Sequence, residues 1–303
     1  MDILRTPEAR FHDLPGYPFV PHHLLLPDGL RMHYVDEGPR SGPVMLLLHG
    51  EPTWSYLYRK MIPPLAAAGY RVVAPDLIGF GKSDKPAALS AYSYDQHARW
   101  VQQFIEGLDL RDITLFCQDW GSLLGLRIAG LAGERFGRIA VSNGFLPTAR
   151  HPLPLAFRLW RAFALHSPWF PIGRIVQSGC VRRLTPQERA AYDAPFPTRA
   201  HKVAARAFPA LVPAHEQDPA VPANRAAWDA LGQWRKPFLT AFASRDPITR
   251  GADRLLQEHI PGAHGQPHTT VRAAGHFIQE DQGEALAQIL IDWQRGLYGT
   301  LNG

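Results

Sequence analysis

Leu115-Phe116-Cys117-Gln118-Asp119-Trp120-Gly121-Ser122 carries the chain from an apolar run, through a carboxylate, straight into a helix-forming stretch. Ile113–Gln118 reads as a buried strand, and Gly121–Leu131 as a helix that follows with no linker. Asp119 falls at the sharp strand-to-helix turn that lifts a nucleophile above a sheet, next to the partial positive charge of a helix N-terminus. Cys117, two residues before it, and Gly121, two residues after, are small enough for that turn. A plainer reading is open at this point, because Asp is also a favoured N-cap and a lone aspartate here could simply cap the helix.

Outward from this turn, short apolar runs alternate with longer amphipathic ones, the pattern of a mainly parallel sheet covered by helices. His22–Leu26 and Leu30–Asp36 flank Pro27-Asp28-Gly29 and read as a hairpin. Val44–His49, Arg71–Pro75, Ile139–Ser142, Phe238–Ala243 and Thr269–Ala273 read as further strands, continuous enough to be buried on both faces. Ser93–Leu108 and Gly283–Leu297 read as helices. The stretch from about Thr148 to Trp228 breaks the alternation, being rich in Pro, Arg and aromatics. We expect an α/β core formed by residues 1–147 and 229–303, with residues 148–228 inserted as a helical cap.

Three more segments place chemistry around Asp119. In Leu46-Leu47-Leu48-His49-Gly50-Glu51-Pro52-Thr53-Trp54 a strand runs into a tight turn. The loop after such a strand supplies one backbone N–H to an oxyanion hole, and the residue after the nucleophile supplies another. The expected donors are Glu51 and Trp120. A simple strand-end turn would also explain Gly50 and Pro52.

In Arg272-Ala273-Ala274-Gly275-His276-Phe277, His276 follows the last strand, where a general base belongs; His259, His264 and His268 lie before that strand. The chain has 14 histidines, so position rather than residue type singles out His276. The acid that orients it belongs after one of two strands. After Ile139–Ser142 no Asp or Glu occurs until Glu188. After Phe238–Ala243 stands Asp246, with Asp253 a weaker candidate inside an apparent helix. Nucleophile, acid and base then follow the chain order of the α/β-hydrolases.

Composition removes several other classes. Apolar residues make up 46% of the 303, ample for a large core. The net charge of +5 is mild, and no basic run interleaved with aromatics suggests nucleic-acid binding. The excess is local: Arg150 to Arg206 holds ten Arg or Lys against Glu188 and Asp193. That is either a solvated basic face or a positive field over a site that releases an anion. Two cysteines, Cys117 and Cys180, make neither a disulfide framework nor a zinc spacing. No apolar stretch is long enough to span a bilayer, and the polar start Met1–Arg10 shows no secretory h-region. We expect a soluble, cytoplasmic protein with no metal, no cofactor and no nucleic-acid or membrane partner.

An aspartate nucleophile suits displacement at saturated carbon, giving an ester of the enzyme's own side chain that water then cleaves. An epoxide oxygen leaves as alkoxide and needs a proton donor, usually tyrosine; Thr148–Trp228 has only Tyr192. A halide needs only hydrogen-bond donors, and indole N–H is a donor without acceptor capacity. Trp120, beside the nucleophile, therefore tilts the reading toward halide release, with an epoxide hydrolase as the alternative. A non-catalytic receptor on the same fold is disfavoured because all three catalytic positions are filled.

Leu48–Lys60, Ala74–Pro86, Gln118–Gly121, Ala191–Pro197 and Gly275–Glu280 together resemble the haloalkane dehalogenases over nearly the whole chain. Glu51, Gln118 and the late acid Asp246 resemble the subfamily that grips halide with two tryptophans. The resemblance implies Asp119 as nucleophile, His276 as base, Asp246 as its partner and Trp120 as the first halide donor. It places the second in the cap, where Trp160 fits the family's F-x-x-W context better than Trp169; either could instead be an apolar anchor. It implies a halogenated alkane as substrate and halide ion as product. Ser122 departs from the second glycine common in that subfamily.

Overall fold

The computed structural model describes residues 2–150, 153 and 155–297. Along the chain run β1 (Ile3–Leu4), β2 (His22–Leu25), β3 (Arg31–Glu37), β4 (Val44–Leu48), α1 (Ile62–Ala67), β5 (Arg71–Pro75), β6 (Lys85–Pro86), α2 (Tyr94–Gly107), β7 (Ile113–Gln118), α3 (Trp120–Leu131) and β8 (Phe136–Ser142). Five helices follow: α4 (Leu155–His166), α5 (Ile172–Ser178), α6 (Pro186–Asp193), α7 (Val203–Leu211) and α8 (Val221–Leu231). The chain then returns through β9 (Phe238–Ala243), α9 (Ala252–His259), β10 (Thr269–Val271) and α10 (Ile278–Arg295).

Eight strands form one sheet in the order β10-β9-β8-β7-β4-β5-β3-β2, and β1 pairs with β6 separately. Only β3 runs against the others, because the tight turn through Asp28 and Gly29 folds β2 back on it. All six residues of β7 are buried, as are Met45–Leu48 of β4, so the continuous apolar runs are the centre of the sheet. Register aligns the strand ends: Leu48 pairs with Cys117, and Gln118 with Ser142. The loops leaving β4, β7, β8, β9 and β10 consequently meet along one edge, where open α/β sheets place their ligands. The α/β fold is as the sequence implied.

Several boundaries differ from expectation, each for a local reason. The strand expected over Thr269–Ala273 stops at Val271, since Ala273 has φ +53° and turns the chain. The last helix begins at Ile278 rather than Gly283; Gln282 is non-helical (φ −140°, ψ 39°), so two helical pieces meet there, and Gly283 begins the second. β8 starts at Phe136, three residues before the continuous apolar run. α2 begins as read, with the Ser93 hydroxyl accepting from Gln96 N–H. Helix α8 crosses the expected boundary at Trp228 and lies along α3 of the core. No helix among the described residues is long and apolar enough to cross a membrane.

Candidate active site

Asp119 stands between β7 and α3 with φ +51° and ψ −129°, a conformation L-residues rarely adopt. Gly121 permits it: a Cβ there would lie 1.9 Å from the Leu48 carbonyl oxygen. The carboxylate makes no capping bond to α3, so the plain N-cap reading does not describe it. Its Oδ1 instead accepts from the Glu51 N–H at 2.7 Å, and Oδ2 lies 3.4 Å from His276 Nε2. The loop after β4 comes this close because residue 50 is glycine; a Cβ would sit 2.2 Å from Asp119 Oδ1. The other expected donor, the Trp120 N–H, is the first amide of α3 and has no hydrogen-bond partner among the described residues.

His276 and Asp246 meet as their positions after β10 and β9 suggest. His276 Nδ1 is 3.1 Å from Asp246 Oδ2. That carboxylate also accepts from Ile248 N–H (2.9 Å) and the Thr249 hydroxyl (2.5 Å), which fixes its orientation. Asp253 sits in the first turn of α9 and has no bond to His276. Burial opposes charge on Asp246, but His276 and the two hydrogen bonds outweigh it and hold the carboxyl down at about 2. Burial likewise opposes an imidazolium, yet Asp246 and Asp119 together lift His276 to about 10. Burial, reinforced by the charge of Asp119, pushes the Glu51 carboxyl well above the usual carboxylate range.

Sequence reasoning passed over Asn143. Its Nδ2 donates to the carbonyls of Gly275 and His276, both at 2.9 Å, and its Oδ1 accepts from Ala243 N–H at 2.8 Å. Its own carbonyl accepts from Asp119 N–H at 3.0 Å. One amide thus ties the loops of nucleophile, acid and base together. The available signal is the polar pair Ser142-Asn143 closing the apolar run of β8, where an orienting acid could also stand. Gln118 adds a 3.1 Å bond to the His276 carbonyl. Ser122 occupies the space left by Gly144 and donates to the Asp119 carbonyl at 2.6 Å.

Asp119, His276 and Glu51 open into a cavity of about 240 Å³, walled also by Phe157 and Trp160 of α4 and Ile175 of α5. The Trp160 indole lies beside the Glu51 carboxyl and favours its charged form against the larger effect of burial. Trp169 is elsewhere, 58% exposed, with the Arg174 guanidinium over its ring. Trp120 is buried against Tyr94 and Phe208 (centroids 5.2 and 4.4 Å) and does not wall this cavity. Its indole N–H has no acceptor among the described residues. Tyr192 is fully buried with its hydroxyl bonded to Glu280. A wider surface cleft of about 760 Å³ around Arg138, His268 and Trp293 contains none of these groups.

A carboxylate raised at the end of a central strand, faced by a backbone donor and a histidine–aspartate pair, defines a hydrolase of the α/β-hydrolase class. Residues 43–282 match the family described as the alpha/beta hydrolase fold. A haloalkane dehalogenase of Mycobacterium marinum is 59% identical over 97% of this chain and 100% of its own. Haloalkane dehalogenase 1 of Mycobacterium tuberculosis is 60% identical over 97% and 99%. The tetrameric structure of a haloalkane dehalogenase from Paraglaciecola agarilytica NO2 superposes with a TM-score of 0.90 at 37% identity, covering 100% of both chains. The chain belongs to the haloalkane dehalogenase family, hydrolases that act on carbon–halogen bonds.

Proposed function

We propose that this dehalogenase works through an alkyl ester of Asp119. The Asp119 carboxylate attacks the halogen-bearing carbon; the C–O bond forms as the carbon–halogen bond breaks, and halide leaves with the electron pair. Water then attacks the ester carbonyl carbon while His276 takes its proton. Asp246 holds the imidazole tautomer and offsets the charge of the imidazolium. The Glu51 and Trp120 N–H groups stabilise the oxyanion of that second step. Alcohol, halide and a proton are the products.

The observation that carries this reading is the setting of one carboxylate: uncapped, held by the Glu51 N–H on one oxygen and 3.4 Å from His276 Nε2 on the other. We assign halide binding to the indole N–H groups of Trp120 and Trp160. The free Trp120 donor and the place of Trp160 in the cavity wall support the pair, and the exposed position of Trp169 argues against it as the second member. Tyr192, engaged by Glu280, is not free to protonate an alkoxide, which disfavours epoxide opening. We take residues 148–228 as the cap that keeps water from the reacting carbon.

Replacing His276 with Phe should leave alkylation intact and stop hydrolysis. Mass spectrometry of His276→Phe mixed with 1,2-dibromoethane should find the bromoethyl ester on the peptide containing Asp119. An unmodified peptide, from protein that still binds bromide, would reject the two-step scheme.

A further inference from the structure

One charged group in the cavity wall has no task in this reaction. Arg245, one residue before Asp246, is exposed and lines the same cavity as Asp119. Its backbone is pinned: its N–H donates to the Ala274 carbonyl at 3.0 Å, and the next residue is held by His276 and Thr249. Its guanidinium has no carboxylate partner among the described residues. The acids nearby are occupied. Asp119 faces the Glu51 N–H and His276, and burial disfavours the charged form of the Glu51 carboxyl. In the basic stretch 150–206, Glu188 is bound by Arg59 and Arg182, and Asp193 accepts from Gly173 N–H. The rest of the lining is mostly apolar, including Phe157, Ile175 and Ile248.

A largely apolar cavity lined by both a reactive carboxylate and an unpaired cation matches a ligand that carries a reactive carbon, an apolar chain and an anion. We infer that the cavity accepts haloalkanes bearing an anion at the far end, ω-haloalkanoates, with Arg245 receiving the carboxylate. This rests on Asp119 as the reacting group. A neutral haloalkane offers the guanidinium nothing; the competing occupant is the departing halide.

The test compares ω-bromohexanoate with its methyl ester at low salt, reading bromide release. A charge-assisted contact made equally in ground and transition states lowers KM and leaves kcat unchanged. The acid should be favoured about tenfold in kcat/KM, the size of one such contact, and added salt should erode the preference. Arg245→Gln should bring the acid-to-ester ratio close to one, and Arg245→Lys should keep part of it. An equal ratio in wild type and Arg245→Gln overturns the inference. So does a variant that slows both compounds alike and deepens bromide inhibition, which would make Arg245 a guide for leaving halide. If wild type releases bromide from neither these compounds nor 1,2-dibromoethane, the Asp119 reading fails first; turnover of the ester without preference for the acid sinks the Arg245 inference alone.

Discussion

At Asp119 a strained backbone and an uncapped carboxylate leave orientation to two neighbours, Glu51 N–H and His276. Against the cost of burial, Asp246 and Asp119 lift the His276 ring to about 10, which favours its protonated form. In the proposed scheme, alkylation of Asp119 removes one of the anions that hold this proton and so frees the imidazole to act as a base. An NMR titration of the resting protein should place the His276 ring near pH 10, and Asp246→Asn should lower it toward the ordinary histidine range; a wild-type midpoint near 6.5 would contradict this. A folded value above the unfolded one means the pairing stabilises fully below pH 6.5 and is lost as pH rises through 10. Trp160→Phe deletes a donor while keeping the ring, and should weaken bromide binding about tenfold by fluorescence titration, with Trp169→Phe unchanged. The three proposed catalytic positions were legible because each stands where a strand of regular pattern ends. Asn143 was not, because its work is done through backbone groups of three distant loops, which no local pattern encodes.

Among elements, the central strands were the most readable, since burial on both faces demands an unbroken apolar run. Their ends were less so, because single conformations stop them, as Ala273 does for β10. The start of α10 was misplaced for a related reason: Gly283 reads as a boundary, yet a helical piece precedes it across the break at Gln282. The β7–α3 turn should be the least forgiving joint. Gly121→Ala drives a methyl into the Leu48 carbonyl and should destabilise by about 3 kcal/mol or more, seen as loss of folded protein or a large fall in Tm. Helix α6 opens with a reciprocal Thr185–Glu188 capping box. Thr185→Ala should cost about 1 kcal/mol, near 2 °C in Tm, and an unchanged Tm would mean the box contributes nothing.

Across the whole molecule, the segment after β8 is fastened to the core by a largely buried ion cluster. Glu280, four residues after His276, is fully buried and bonded to Arg59, Arg182 and the Tyr192 hydroxyl, while Glu188 bridges the same two arginines. Removing the central acid strands Arg59 with a weaker partner, so Glu280→Ala should lose about 3–5 kcal/mol in urea unfolding; a loss under about 1 kcal/mol would refute a structural role. Glu188 is held at about 2 and Asp246 at about 2, with Glu280 also lowered. Depressed folded values mean this stability is present above the ordinary carboxylate range and is lost as pH falls toward 2. Urea midpoints should therefore drop steeply between about pH 4 and 2.5. None of this fastening was visible in the sequence, where Arg59, Arg182 and Glu280 lie far apart and no local pattern pairs them. The break in strand–helix alternation coincides with the run of helices α4 to α8 between β8 and β9, while the path of α8 back along α3 depends on tertiary packing.

A single turnover with enzyme in excess, run in water enriched in heavy oxygen, bears on the central claim most directly. Water attacking the ester carbonyl leaves its oxygen in the enzyme, so label should appear on the side chain of Asp119 and the alcohol should carry unlabelled oxygen. Label in the alcohol with an unlabelled Asp119 would mean that water attacks the substrate carbon itself, and the covalent scheme would be wrong.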